Sequence, residues 1–221
     1  MDSKELQNYV ETALALANDD TKNTLPYQVF GLEGMSGNRF RQFLNHLLRT
    51  VGKKTRYLEI GICGGSTSVS ALKDNIDNID KHWLIDNWIW SNYDLSLMNL
   101  FLNNFRTHVG KEPNFIQADC FDLDLKKTDI NNVNVYFYDG GHKKHEQFQA
   151  LSYYYETLAD NFIFIVDDWI DPNAVEGTNE AIKQLNLNED YRLEIHKHNF
   201  GNQRLEWWEG VGIFVLSKNN K

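Results

Sequence analysis

Short apolar strands alternate with helical segments over most of this chain, and this alternation is the feature that most restricts its fold. From residue 55 onward, five segments have the length and apolar content of buried strands. They are TRYLEI (55–60), HWLID (82–86), NFIQAD (114–119), NVYFYD (134–139) and FIFIVDD (162–168). Helical periods separate them at about residues 66–72, 94–109 and 143–158. Such alternation predicts a parallel sheet that is covered by helices on both faces.

The two ends of the chain extend this pattern. An amphipathic helix is predicted within residues 1–18, and a second helix, with an apolar stripe, follows the Gly/Ser/Asn start of GLEGMSGNRFRQFLNHLL. After a helix near residues 178–185, YRLEIHKH and GVGIFVLS are predicted to form an antiparallel pair at one sheet edge. We therefore predict a doubly wound, Rossmann-like α/β domain at 55–221 with a seven-stranded, mostly parallel sheet. A helical extension at 1–54 is expected to pack on the core, near the substrate site.

Composition narrows the possible partners. The 221 residues carry a net charge of -9, which disfavours binding to a phosphate backbone, so we expect no nucleic-acid partner. No segment approaches the ~20 apolar residues that cross a bilayer, and the start of the chain lacks a signal peptide. Two cysteines, Cys63 and Cys120, imply no disulfide framework. These features predict a soluble, cytoplasmic protein without a membrane partner, and they are compatible with a homo-oligomer.

Ligands bind at the carboxyl ends of parallel strands, so the residues after each strand are candidates for a binding site. The first strand contains Glu59 and is followed by a turn with Gly61 and Gly65, before Ser66 and Thr67 begin a helix. Such a turn lets the backbone approach a ligand closely. Its spacing differs from the dinucleotide pattern G-x-G-x-x-G, and it lacks the lysine of a phosphate loop. A structural turn explains it equally well.

The next two strands strengthen the case for a nucleoside site. Asp86 ends the second strand, where an acid can accept hydrogen bonds from both ribose hydroxyls. Asn87 and Trp88 follow directly, and an aromatic ring there can either cover an adenine or pack in the core. Asp119, after the third strand, is a candidate for the exocyclic amine of adenine, although acids are common in loops.

The motifs LEIGICGGSTSVSAL, IDNW, QADCFD, YFYDGGH and FIFIVDDW, in this order and spacing, resemble the class I S-adenosylmethionine-dependent methyltransferases over about residues 55–217. Within that group, DGGH and VDDW resemble the metal-dependent O-methyltransferases of small molecules, including macrolide-sugar and catechol-type members. The resemblance implies that Glu59, Gly61, Gly65 and Thr67 surround the methionine part of S-adenosylmethionine and that Asp86 holds the ribose. One departure is the segment ADN at 159–161, where the family often has a glycine pair.

Three carboxylates are expected to crowd one corner of this site. Asp139 follows the fourth strand, and Asp167 and Asp168 end the fifth; these two strands are usually neighbours in a doubly wound sheet. Two unit charges 4 Å apart interact by ~4 kcal/mol at an effective dielectric of 20, so such a group raises a pKa or recruits a cation. Oxygen ligands favour Mg²⁺, or Mn²⁺ as a substitute.

The DGGH stretch also supplies a candidate base. A metal-bound hydroxyl acceptor loses its proton readily, and a nearby histidine can take that proton. We therefore assign His142 as the base and Asp139 as its catalytic neighbour; a histidine at this spacing is the base in the resembling sugar O-methyltransferases. His145 is a second candidate. The alternatives are that Asp139 and Asp168 are loop acids or helix caps, and that His142 caps the following helix.

The expected acceptor is a hydroxyl on a small molecule, with a sugar as one candidate. Four aromatic segments outside the sheet are expected to roof its site, at residues 25–37, 88–94, 169–177 and 198–210. They contain Trp88, Trp90, Trp169, Trp207 and Trp208. Three other functions stay open: a metal-independent N- or protein methyltransferase, a nicotinamide-dependent oxidoreductase and a non-catalytic nucleoside-binding protein.

Overall fold

A seven-stranded sheet in the order β3-β2-β1-β4-β5-β7-β6 organises the protein. The structure is a computed structural model, and it describes residues 1–89, 95–196 and 206–219. The strands are β1 Arg56–Ile60, β2 Lys81–Asp86, β3 Phe115–Gln117, β4 Val133–Tyr138, β5 Leu158–Asp167, β6 Leu187–Ile195 and β7 Val211–Lys218. Strands β1 to β5 pair in parallel, whereas β7 is antiparallel to both β5 and β6. The predicted fold class is confirmed.

Seven α-helices are found in the described residues. They are α1 Ser3–Ala17, α2 Tyr27–Phe30, α3 Asn38–Val51, α4 Ser66–Leu72, α5 Ser96–Val109, α6 Lys144–Tyr154 and α7 Pro172–Gln184. None of the helices in this part of the chain has the length and apolar character to span a membrane.

Three predicted boundaries were wrong. Helix α7 begins at Pro172 rather than near residue 178, because Asp171 accepts a hydrogen bond from the backbone N–H of Asn173 and Pro172 fits the first helical turn. Leu158 was expected in a helix but starts β5, after a short 3-10 turn at Tyr155–Thr157. Strand β6 starts at Leu187 rather than at residue 191. Residues 197–198 of the predicted strand lie outside the described residues.

Helices cover both faces of the sheet, as strand–helix alternation requires. Side chains alternate between the two faces along each strand. Phe137 of β4 belongs to a core cluster with residues of α1, α3, α4 and α5, such as Leu6 and Phe40. The next residue back, Tyr136, packs on the opposite face with residues of α6 and α7, such as Leu151 and Ala174. The N-terminal helices thus share a core with the sheet, and the division at residue 54 remains a prediction.

The strand register brings the candidate residues to one edge of the sheet. Ile60 of β1 pairs with Tyr138 of β4, and Tyr138 pairs with Val166 of β5. The residues that follow these three are Gly61, Asp139 and Asp167. They therefore lie side by side at the carboxyl edge of three adjacent strands.

Candidate active site

The carboxyl ends of β1, β2, β4 and β5 open into a cavity of about 870 Å³. This volume is in the range of small-molecule and cofactor sites. Part of its wall comes from outside the sheet, because Gly34, Met35 and Ser36 of the N-terminal extension line it. The extension therefore contributes to the site, near which it was expected to pack.

The turn after β1 has two positions that require glycine. Gly61 has a φ of +89°, and a Cβ built on it would lie 1.8 Å from the backbone oxygen of Asp139. Gly65 has a φ of +87°, and its Cβ would lie 2.7 Å from Cδ2 of Phe101. L-residues with a side chain rarely adopt such φ values. Gly61 thus allows the turn to pack against the end of β4 beside Asp139, and Gly65 allows it to pack against Phe101 of α5.

Asp86 connects the end of β2 to this turn. Its Oδ2 accepts hydrogen bonds from the backbone N–H groups of Ile62, at 2.7 Å, and Cys63, at 2.8 Å. Asn87 donates from Nδ2 to Oδ2 of Asp119 at 3.2 Å. Asp86, Asn87 and Asp119 all line the cavity. The structure thus brings together Asp86 and Asp119, which the sequence assigned to the ribose and the adenine, with Asn87, a further candidate for binding the cofactor.

Glu59 lies beneath the turn rather than in the cavity wall. It is fully buried, and it accepts hydrogen bonds from the hydroxyls of Thr67 and Tyr57. Burial raises the pKa of the Glu59 carboxyl to about 7. Thr67 and Ser66 do line the cavity. Glu59 therefore contacts a residue of the cavity wall, and its own side chain is held away from the cavity.

Trp88 and Gly65 are likewise not among the residues that line the cavity. The Trp88 side chain is completely buried, its ring centroid lies 6.1 Å from that of Phe101, and its Nε1 donates to the backbone oxygen of Cys63 at 2.9 Å. The ring thus packs in the core, which is the alternative to an adenine-covering position. Trp88 supports the glycine turn from behind.

Asp167 is buried and Asp139 is partly buried, and the pKa values of both carboxyls are raised. Burial raises the pKa of Asp139 well above its usual range, and the neighbouring Asp167, Asp168 and Glu59 raise it further. Burial and then Asp168 raise the pKa of Asp167 in the same direction. Like charges in a poorly solvated place disfavour ionisation, and a cation relieves this cost. The predicted crowding of carboxylates is present.

His142 and Asp168 form a hydrogen-bonded pair at this corner, which is an ion pair when the imidazole is protonated. Nε2 of His142 lies 2.9 Å from Oδ2 of Asp168, and the His142 side chain is about half exposed. The hydrogen bond to Asp168 raises the pKa of the imidazole, against the opposing effect of burial. His142 is not a helix cap, because Lys143 occupies the N-cap position of α6 and donates its backbone N–H to Glu146 at 2.9 Å.

Asp139, His142 and Asp168 can each offer one ligand atom, and these three atoms lie within 4.8 Å of one another. The residues fit a divalent cation: the carboxylate oxygens suit Mg²⁺ or Mn²⁺, and the imidazole nitrogen is more typical of Fe²⁺ or Zn²⁺. The sequence had placed Asp167 in this group and His142 outside it. A neutral imidazole that binds a cation through Nε2 carries its proton on Nδ1 and cannot accept another there, so the roles of ligand and base exclude each other.

Several residues of the cavity wall were not assigned individually from the sequence, although the predicted roof segments 169–177 and 198–210 contain Ile170, Asp171 and Glu209. Glu146, Ile170, Asp171 and Glu209 line the cavity. For Asp171 the signal was the pair Asp-Pro, which is typical of a helix start. Of the tryptophans expected to roof the site, Trp208 lines the cavity, whereas Trp169 and Trp207 are buried in the core. Trp90 lies outside the described residues, as does 198–205 of the fourth roof segment.

Comparison of the sequence with protein-family models and with curated proteins finds no match. Many solved structures do resemble the fold. An O-methyltransferase from Bacillus cereus in complex with S-adenosylhomocysteine is 14% identical with a TM-score of 0.57, over 99% of this chain and 92% of that one. A methyltransferase from Podospora anserina, also bound to S-adenosylhomocysteine, is 13% identical with a TM-score of 0.54, over 98% and 88%.

A third structure, from Pyrococcus horikoshii, is provisionally described as an RNA methyltransferase. It is 16% identical with a TM-score of 0.55, over 95% of this chain and 97% of that one. At these identities the likeness establishes the fold. The chain has the fold of the class I S-adenosylmethionine-dependent methyltransferases, which confirms the fold that its motifs predicted.

Proposed function

We propose that this protein is an S-adenosylmethionine-dependent O-methyltransferase that acts on a hydroxyl of a small molecule with the help of Mg²⁺ or Mn²⁺. The observation that carries the proposal is the cluster of Asp139, His142 and Asp168 beside the glycine turn. Both lie at the carboxyl edge of the sheet, where ligands bind in open α/β folds. Donor and acceptor sites would then share one cavity.

The donor half of the cavity has a polar group for each part of S-adenosylmethionine. Gly61, Ser66 and Thr67 would surround the methionine part, and Asp86 would accept from the ribose. Asn87 and Asp119 would hold the adenine. Glu59, Gly65 and Trp88 would act indirectly, because their contacts fix the turn.

The acceptor half would use Asp139, Asp167 and Asp168 as metal ligands. When bound, a divalent cation lowers the pKa of an acceptor hydroxyl and fixes its orientation. His142 would then take the hydroxyl proton. Asp168 orients the imidazole, and when Nε2 carries the proton of their hydrogen bond, Nδ1 is the basic nitrogen. Raised pKa values at Asp139 and Asp167 support a cation here, because they report negative charge without enough compensation.

Binding and turnover experiments test the two parts of the proposal separately. Isothermal titration should show binding of S-adenosylhomocysteine in preference to NADH, and Asp86→Ala should weaken it by at least ten-fold. Asp190→Ala, which removes an exposed carboxylate on β6, is the matched control. Preference for NADH would favour the oxidoreductase alternative.

Methyl transfer from S-adenosylmethionine to 4-methylcatechol, a simple dihydroxy probe, tests the metal. EDTA should abolish the transfer, and Mn²⁺ should restore it. Transfer that continues unchanged after chelation would instead support a metal-independent methyltransferase. Binding of the donor without transfer to any hydroxyl or amine probe would support the non-catalytic alternative.

A further inference from the structure

Carboxylates dominate the charge of the described part of the cavity wall, where His142 is the one basic side chain. Among the described residues that line it, eight are carboxylates and none is a lysine or an arginine. The carboxylates are Asp86, Asp119, Asp139, Glu146, Asp167, Asp168, Asp171 and Glu209. The proposed function accounts for the first two, at the donor, and for the three aspartates at the metal. A divalent cation on those three aspartates would leave one net negative charge, and Glu146, Asp171 and Glu209 remain.

We call these three remaining carboxylates the rim, and two of them lie near the acceptor side, since Asp171 helps to raise the pKa of His142 and Glu209 helps to raise that of Asp167. Glu146 stands in the first turn of α6, and Asp171 caps α7. Backbone hydrogen bonds from Trp169 to Gly210 and from Ile170 to Glu209 tie the segment before Asp171 to the turn before β7. All three rim side chains are partly buried, so solvent screens their charge less than it would on an open surface. The exposed Lys143, whose Nζ lies 3.4 Å from Oε1 of Glu146, offsets part of the charge of that one carboxylate.

An independent feature of the same mouth is apolar. Four large hydrophobic side chains are exposed among the described residues: Tyr27, Met35, Ile89 and Leu95. Two of them, Met35 and Ile89, line the cavity, and they come from two separate segments of the chain. Trp208 and Ile170 lie on the same wall. An exposed apolar pair at a cavity mouth is typical of a surface that contacts the body of a ligand.

We infer that the acceptor has an apolar face and no anionic group, and that a cationic group on it improves binding. The inference rests on the proposed function and adds the chemical class of the substrate. The carboxylate rim repels an acceptor that carries a carboxylate or phosphate and attracts one that carries an ammonium group. RNA, a polyanion, is therefore not the acceptor.

Three catechols that share one ring and carry a substituent of different charge test this class. They are dopamine, 4-methylcatechol and 3,4-dihydroxybenzoate, which are cationic, neutral and anionic at pH 7.5. Each is titrated into protein saturated with S-adenosylhomocysteine and Mg²⁺, and kcat/KM is measured with S-adenosylmethionine. Affinity and kcat/KM should fall in the order given, with at least a ten-fold gap between the neutral and the anionic compound. A short RNA hairpin should not be methylated.

A variant shows whether the rim carboxylates cause the preference for neutral and cationic acceptors. Asp171→Asn keeps the oxygen that caps α7 and removes one charge, since asparagine caps helices as well as aspartate does. The ratio of kcat/KM for the anionic compound to that for the neutral one should rise at least three-fold. Asp190→Asn removes a charge far from the cavity lining and should leave the ratio unchanged.

The outcomes separate this inference from the proposed function. Equal use of the three catechols, preference for the anionic one, binding of none, or methylation of RNA would each overturn the inference, provided that S-adenosylhomocysteine binds. Failure to bind S-adenosylhomocysteine would overturn the proposed function, and the inference with it.

Discussion

Nε2 of His142 lies 2.9 Å from Oδ2 of Asp168, although the two residues come from different strand ends. His142 stands in the loop between β4 and α6, and Asp168 follows β5. The hydrogen bond favours the protonated imidazole and raises the pKa of His142. Because the folded-state pKa exceeds the unfolded one of ~6.5, this pair stabilises the fold fully below that pH. The contribution is lost as pH rises through the folded-state pKa.

The first prediction concerns this pKa in the metal-free protein. The Cε1–H resonance of His142 should titrate above ~6.5 in NMR spectra, and Asp168→Asn should shift the midpoint down. His82 is an internal reference in the same spectra, because burial lowers its pKa to about 4. An unchanged His142 midpoint in the Asp168→Asn protein would show that the pair does not set it.

The second prediction separates the two roles of His142. If it is the base, His142→Ala should lower kcat by about 10²- to 10⁴-fold and leave the affinity for Mn²⁺ within about two-fold. Isothermal titration with Mn²⁺ and single-turnover methyl transfer measure the two quantities. His145→Ala, an exposed position at the start of α6, is the matched control and should change neither. A ten-fold loss of Mn²⁺ affinity in His142→Ala would make His142 a ligand instead.

The third prediction is a pH-dependent stabilisation by cations. The pKa values of Asp139 and Asp167 are raised in the folded state, so the metal-free protein loses stability as pH rises through them. At a concentration 100 times its Kd at pH 8, Mn²⁺ should raise Tm by about 5–10 °C at that pH. The same concentration should raise Tm by less at pH 5.5, because protons compete with Mn²⁺ for the carboxylates. Asp139→Asn should remove most of the shift. An equal shift in that variant would place the bound cation elsewhere.

The corner of acids could be predicted because it depends on strand ends. Asp139 and Asp167 each directly follow a run of apolar residues, which marks the end of a strand in the sequence itself, and Asp168 comes next after Asp167. Parallel pairing of neighbouring strands then brings their carboxyl ends to one edge. No knowledge of distant contacts is needed for that step. The pairing of His142 with Asp168 depends on the conformation of the loop after β4. No local sequence pattern predicts that conformation.

The positions of Glu59 and Trp88 show that a local sequence pattern does not determine the direction of every side chain. The direction of the Trp88 side chain depends on α5, since its ring packs near Phe101, thirteen residues further along the chain. For Glu59 a local signal was present. Tyr57 and Glu59 are two residues apart in one strand, so they share a face, and Tyr57 is buried. The rim carboxylates Glu146 and Glu209 come from separate elements and become neighbours of one cavity only through the tertiary fold.

The fourth prediction separates backbone strain from close contact in the glycine turn. Gly61 and Gly110 both have positive φ, at +89° and +79°, but a Cβ at Gly110 would meet nothing within 4 Å. Gly110→Ala should therefore cost about 1 kcal/mol of unfolding free energy, from conformation alone. Gly61→Ala should cost several times more, and it should also weaken binding of S-adenosylhomocysteine, because the turn must move away from Asp139. Similar losses in the two variants, measured by urea unfolding, would show that the contact with Asp139 is not limiting.

The fifth prediction concerns Glu59 and the dependence of stability on pH. Burial raises the pKa of Glu59 from 4.5 to about 7, so its contribution to stability is full below 4.5 and is lost as pH rises through 7. Ionisation of this carboxyl at pH 8 costs about 3 kcal/mol, from 1.36 kcal/mol for each pKa unit. Glu59→Gln avoids that cost, and the hydroxyls of Thr67 and Tyr57 can rotate to accept from the amide.

The free energy of unfolding of Glu59→Gln, relative to wild type, should therefore rise between pH 5 and pH 8 by about 3 kcal/mol. Urea unfolding at the two pH values measures this difference, and Glu156→Gln, at an exposed position, should show no comparable rise. If the free energy of unfolding changes equally with pH in the Glu59→Gln and wild-type proteins, Glu59 is ionised at low cost. The hydrogen bonds from Thr67 and Tyr57 would then outweigh its burial, and Glu59 would add a negative charge beneath the proposed methionine site at neutral pH.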